Sequence, residues 1–161
     1  MKKIYFGGGL FSEMETMYNE FVVESIRDTF GDNVSVYLPQ ENEAINDKSG
    51  YADSIMIANG DNEHLEEADI LVAVIDGQVM DVGLASEIGY FYSMNKPIIA
   101  IYSDSRQGTY GNQKKIDSLD SIAESQFSYI NLYTVGMIKQ RGEIVRGYEE
   151  LLEVLPKYVY K

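Results

Sequence analysis

Two apolar runs set the architecture of this chain. Residues 69–75 (DILVAVI) and 97–102 (PIIAIY) lack the polar residue at every second position that a half-solvated strand would show. A strand built from either run has no face suited to water, which predicts a parallel sheet covered by helices on both sides. Parallel neighbours need a long crossover, and the segment between the runs supplies one. Leu84, Ile88 and Phe91 recur there at helical spacing and predict a helix over about 82–94.

The rest of the chain keeps the same alternation. Lys3–Phe6 (KIYF) predicts a first strand that ends in the tight turn Gly7-Gly8-Gly9. Ser12 stands three residues before Glu15, the spacing of a capping box. Met14, Met17, Tyr18, Phe21, Val22 and Ile26 then carry a helix over about 12–29, stopped by Gly31. A second strand is expected at Val34–Leu38, a polar loop over 40–52 and a helix over 53–66 with Gly60 awkward in its interior. A weak last strand is expected at Phe127–Leu132, followed by an amphipathic helix over 145–157 through Val145, Tyr148, Leu151, Leu152 and Val154. Residues 103–124 are polar and predict a long loop with at most one helix. The expected fold class is α/β: a single-domain, doubly wound, five-stranded parallel sheet over 1–161, with 103–125 as a variable insert. Ligands in such sheets bind beyond the carboxyl ends of the strands. The loops after Phe6, Leu38, Ile75, Tyr102 and roughly Asn131 are therefore the places to search.

Composition narrows the chemistry. The 161 residues include no cysteine and one histidine, so thiolate zinc sites, thiol nucleophiles and a histidine metal cluster are all disfavoured, and no metal is expected. Acids outnumber bases 26 to 13, giving a formal charge of −13 that repels phosphate backbones and anionic lipid. Neither a nucleic-acid nor a membrane partner is expected. The N-terminal stretch MKKIYFGGGLFSEME superficially looks like a signal peptide, but glycines break its apolar part and acids follow without a small-residue cleavage site. A soluble cytoplasmic protein using carboxylates as its reagents is the expectation.

The most informative segment is Asp81-Val82-Gly83-Leu84-Ala85-Ser86-Glu87-Ile88-Gly89-Tyr90. Glu87 lies near the start of its helix, where the dipole is expected to help keep a carboxylate ionised. Asp81 precedes it by six residues, about 9 Å along a helix rising ~1.5 Å per residue. That gap accommodates a sugar. The plainer alternative makes Asp81 a helix cap and Glu87 a solvated acid. Asp61 is expected at the end of the second helix or in its Gly60 break, and His64 reads as a surface histidine. Tyr5 fits an ordinary core position on the first strand, and Asn131 an ordinary turn. Gly7 and Gly8 suit either a phosphate cradle or a plain strand-to-helix turn. No G-x-G-x-x-G fingerprint or P-loop accompanies them, so NAD, FAD and P-loop nucleotides are disfavoured and no cofactor is expected.

Together these positions resemble the nucleoside 2-deoxyribosyltransferase family. The likeness runs through IYFGGGLFS, YLPQENEAIND, the D-x6-AD spacing from Asp61 to Asp69, DVGLASEIGYFYSMNKP and INLYTVG. It implies a flavodoxin-like fold, with Glu87 as catalytic nucleophile, Tyr5 as the residue holding that carboxylate and Asp61 as the acid serving the base. It also implies that Asp81 binds the sugar 5′-hydroxyl beside Gly7, Gly8 and Gly83. Asn131 would reach a neighbouring subunit's site, and Tyr133 takes a place where the family often has Met. Gln40, Asn42 and Glu43 fall in a base-facing loop. The implied partners are a 2′-deoxynucleoside, a free nucleobase and further copies of the chain, at least a dimer and commonly a hexamer built from dimers.

The implied reaction is base exchange by double displacement through a covalent deoxyribosyl–Glu87 intermediate. Related 2′-deoxynucleoside 5′-monophosphate hydrolases have serines at the places matching Asp81 and Asn131. A carboxylate at 81 would repel a phosphate by roughly 1–4 kcal/mol at ~4 Å, which favours nucleosides. Two alternatives stand beside base exchange. One is an N-glycosidase delivering water to the same intermediate, and the other is a nucleoside-binding module without turnover.

Overall fold

The computed structural model describes residues 1–42, 50–125 and 129–161. Five strands, β1 (Lys2–Gly7), β2 (Val34–Tyr37), β3 (Ile70–Val74), β4 (Ile98–Ile101) and β5 (Glu143–Val145), form one sheet in the order β2-β1-β3-β4-β5. Every neighbouring pair is parallel. The chain starts in the middle, moves outward to β2, then returns to the other side of β1. That reversal leaves a crevice between the carboxyl ends of β1 and β3, the usual ligand position in an open α/β sheet.

Side-chain alternation divides the sheet between two cores. Ile4, Phe6, Ile70, Val72, Ile99 and Ile101 join α1 (Glu13–Phe30) and the C-terminal helices on one face. Tyr5, Leu71, Ala73, Ile98 and Ala100 join α2 (Ser54–Glu67) and α3 (Val82–Ser93) on the other. The β3 and β4 members of both sets are almost wholly buried. At about 1.5–3 kcal/mol for each large apolar side chain removed from water, this double coverage explains the uninterrupted runs. Among the described residues, no helix is long and apolar enough to cross a membrane.

Local signals place the helices. Ser12 caps α1 and exchanges hydrogen bonds with Glu15, while Gly31 ends it at φ +48°. Val22, Val23, Ile26 and Phe30 form its buried face, whereas Met14 and Met17 remain exposed. Asp53 caps α2, which passes through Gly60 without a break. Asp61 therefore sits inside a continuous helix, not at a helix end or interruption as expected. The Asn95-Lys96-Pro97 turn before β4 has two functions. Asn95 takes φ +59°, and the Lys96 ammonium donates to the carbonyls of Glu66 and Ala68 at 2.6 and 2.7 Å. That lysine ties the end of α2 to the sheet.

The C-terminal third departs from expectation. Of the strand expected at Phe127–Leu132, residues 127 and 128 lie outside the described part, Tyr129, Ile130 and Asn131 are not in a strand, and Leu132 opens a helix. After the short α4 (Gln113–Asp117), α5 covers Leu132–Arg141 and the fifth strand is Glu143–Val145. Leu132 to Val135 are strand-prone by composition, but the Asn131 carboxamide oxygen accepts the Tyr133 and Thr134 amides at 3.0 and 3.2 Å. Thr134, Met137 and Ile138 then bury one helical face. Capping and burial outweigh local β preference. Val145 is consequently a strand residue, and the last helix is shorter than expected: α6 (Tyr148–Val154), followed by a single turn, α7 (Pro156–Val159).

Candidate active site

The crevice between β1 and β3 is walled by α3. Tyr5 on β1 points to the α3 side, and its hydroxyl donates to Glu87 Oε1 at 2.7 Å. The tyrosine is completely buried. Burial, reinforced by the neighbouring Glu87 charge, drives its pKa far above the ordinary phenol value, so it remains a proton donor to the carboxylate. Gly7, two residues on, leaves room for the acid: a Cβ there would lie 2.6 Å from Leu84 Cδ1 and 3.0 Å from Glu87 Oε2. The glycine serves close approach.

Burial dominates the electrostatics of Glu87. Loss of solvent pushes its pKa up to about 7, the Tyr5 hydroxyl opposes this, and the charges of Asp61 and Asp81 add to it. The expected dipole effect is therefore overridden: Glu87 is the sixth residue of α3, beyond the first turn where the dipole acts. Its carboxyl group is instead poised near neutrality. Asp61 is also raised, by burial, with the nearby His64 opposing.

A cleft of about 370 Å³ joins these groups. Asp61 from α2, Asp81 at the cap of α3, Glu87 within α3, and Gly7, Gly8 and Gly83 all line it. Asp81 is both cap and lining residue, since its Oδ1 accepts the Leu84 amide at 2.8 Å. Leu10, Phe11, Pro39 and Ile57 supply an apolar wall that the sequence reading missed. The exposed Phe11, directly after the glycine turn, was the available signal. Among the described residues, no lysine or arginine lines the cleft. Among the described residues, no group of three or more His, Cys, Asp or Glu side chains is arranged to hold a metal ion.

Other expected site residues fall elsewhere. Both ends of the Gln40 carboxamide are engaged: it donates to Thr16 O at 2.9 Å and accepts from Asn19 at 3.2 Å. Gln40 thus fastens the turn after β2 to α1 and does not line the cleft. Asn42 donates to the Tyr37 hydroxyl at 3.0 Å and lines an adjoining cavity with His64. Glu43 lies outside the described residues. Asn131 and Tyr133 border a separate groove of about 690 Å³ on the opposite flank of α3, beside Ala85, Ser86 and Gly89. Within one chain they do not share the Glu87 cleft.

Comparison with known proteins adds to this geometry. A family model described as nucleoside 2-deoxyribosyltransferase matches residues 4–131. A crystal structure of a conserved protein from Enterococcus faecalis V583 is 52% identical, covers 98% of each chain and has a TM-score of 0.92. A 2-deoxyribosyltransferase from Bacillus psychrosaccharolyticus is 22% identical over 93% of this chain and 90% of its own, with a TM-score of 0.65. A 2-desoxiribosyltransferase from Leishmania mexicana is 17% identical over 99% and 98%, with a TM-score of 0.64. These last two likenesses concern the fold. No curated protein matches the chain.

Proposed function

The chain belongs to the nucleoside 2-deoxyribosyltransferase family, and on that footing we propose that it exchanges the base of 2′-deoxynucleosides by double displacement. The observation carrying this reading is the 2.7 Å hydrogen bond from the buried Tyr5 to Glu87, which lines a cleft together with Asp61 and Asp81. In its ionised form Glu87 attacks C1′ through an oxocarbenium-like transition state. The C1′–N bond breaks, its electron pair leaves with the base, and Asp61 gives a proton to a base nitrogen. A second base returns a proton to Asp61 and displaces the sugar from Glu87, giving overall retention. Burial favours the protonated form of Asp61 that the first half needs.

Asp81 is the partner for the sugar 5′-hydroxyl. With three acids and no cation along the cleft among the described residues, a 5′-phosphate would be repelled, so nucleosides are the substrates. The chain self-associates, at least as a dimer, and presents Asn131 to a neighbouring site. Purified protein incubated with deoxyinosine and adenine should yield deoxyadenosine by chromatography. A fluorinated sugar analogue should label Glu87. Turnover with the label on another residue would defeat the mechanism, and sugar release without any need for adenine would turn the assignment to hydrolysis.

A further inference from the structure

Asn19 is 3% exposed in the interior of α1, where a carboxamide does not favour the helix and loses water at a cost unless its hydrogen bonds are made. Its amide nitrogen has two hydrogens, and both bonds leave the helix. Nδ2 donates to the carbonyl oxygen of Gly9 at 2.9 Å and to Gln40 Oε1 at 3.2 Å. Gln40 is itself fixed, since its own nitrogen donates to Thr16 O at 2.9 Å. The Asn19 side chain also packs against the glycine turn: a Cβ on Gly8 would lie 2.9 Å from its Oδ1. One turn earlier on the same helix, Glu15 accepts the amides of Phe11 and Ser12 at 3.2 and 2.8 Å. The turn after β1 is thus held from α1, and Asn19 is the member of that clamp that also grips the turn after β2.

The two bonds run to different edges of the cleft. Gly9 stands between Gly8 and Leu10, and Gln40 follows Pro39; Gly8, Leu10, Phe11 and Pro39 all line the cleft, and Asn19 reaches it through them. Ile57 and Asp61 are four residues apart on α2 and line the cleft from one helix face. The apolar wall of Leu10, Phe11, Pro39 and Ile57 therefore stands beside the acid that serves the base, and it suits a flat heteroaromatic ring better than a hydroxylated sugar. We infer that Asn19 is a positioning residue for the base: its carboxamide ties the glycine turn to the turn after β2 and so sets the gap between Leu10 and Phe11 on one side and Pro39 on the other. This rests on the reading of Asp61 and Glu87 given above. A leucine would fill the same space, but it offers the Gly9 carbonyl and Gln40 no donor, and the two edges would then move independently. Tyr5 belongs to the opposite core, on the α3 side of the sheet, as do Leu84 and Ile88 that flank Glu87 in α3. Loosening the gap thus weakens binding of the base and leaves the nucleophile in place.

The test separates KM from kcat. Asn19→Leu keeps the bulk without the donor, and Gln40→Ala cuts the same link from the half-buried end, leaving the interior of α1 untouched should Asn19→Leu not fold. With deoxyinosine and adenine, KM should rise roughly tenfold in Asn19→Leu and roughly threefold in Gln40→Ala, the scale of one neutral hydrogen bond or part of one, with kcat little changed. The double variant should match Asn19→Leu alone, because both changes break one connection. The same variants made on Glu87→Ala should show the same shifts in Kd for deoxyinosine by calorimetry, a readout that needs no turnover and that a loss of overall stability would not move. Unchanged KM and Kd in Gln40→Ala, a fall in kcat at constant KM, or effects that multiply in the double variant would each overturn the inference. If Glu87→Ala turns the nucleoside over at the wild-type rate, the proposed mechanism fails instead, and the Kd shifts still decide the role of Asn19.

Discussion

The two flanks of α3 show how one helix can be built for opposite purposes. On one side Leu84 and Glu87 face β1, where Asp61 and Asp81 complete an acidic cleft of about 370 Å³. On the other, Ala85, Ser86 and Gly89 present little bulk to a groove of about 690 Å³ bordered by Val79, Val82, Tyr129 and Tyr133. Those four bordering residues are each at least 77% exposed. The first flank concentrates titratable groups that desolvation perturbs. The second leaves apolar surface of the kind protein partners cover. Chemistry and assembly would thus share a scaffold while using different residues, and each can be perturbed separately.

The largest effect is expected on the acidic flank. Glu87→Ala should lower base exchange by at least roughly 10⁴-fold, the scale of losing a nucleophile, measured by chromatography of the exchanged nucleoside. Wild-type rates would remove the chemical meaning of that flank.

Stability offers a second measure of the same carboxyl. Below about pH 4.5, its ordinary value, both folded and unfolded chains hold the Glu87 proton. Between 4.5 and about 7 the folded state keeps the proton that the unfolded state has lost, so the stabilisation fades as pH rises through this window. Glu87→Gln removes the dependence. Denaturant titrations should show the variant gaining on wild type with rising pH, by up to about 3 kcal/mol above neutrality. A constant difference across pH would mean that Glu87 is not desolvated.

Tyr5→Phe should cost less than loss of the nucleophile. It removes one hydrogen bond to a charged group, worth about 1.5–3 kcal/mol, and should slow exchange roughly ten- to a hundredfold without unfolding the chain. On the apolar flank, Gly89→Arg places a long cation in the groove. It should shift the sedimentation profile toward monomer and lower activity by about tenfold at most, the cost of one neutral hydrogen bond from a neighbour. Dissociation with full activity would separate the flanks completely, whereas an unchanged oligomer would show that the groove is not the interface.

Much of this contrast was legible in the sequence because it is local. Leu84, Ile88 and Phe91 declared the buried edge of α3 by spacing alone, and Ser12 with Glu15 declared the start of α1. The resemblance supplied the grouping of Tyr5, Asp61, Asp81 and Glu87, and all four now meet around one crevice. What escaped detection depends on distant parts of the chain. The ionisation of Glu87 is governed by burial against the sheet, which no helix-end rule contains. Gln40 resembled a residue facing the base until α1 came within reach of its carboxamide. The strand Glu143–Val145 has three residues, too few for alternation to register, and its place in the sheet comes from pairing with β4.

The cap of α5 also fixes the polarity of anything that meets it. Because the carboxamide oxygen of Asn131 already accepts two backbone amides, the side chain can turn outward only as an N–H donor. Its counterpart must therefore supply a lone pair, as a hydroxyl or carboxylate oxygen does. Aspartate at 131 would start the helix equally well yet greet such a counterpart with a negative charge, leaving a chain correctly shaped and wrongly addressed.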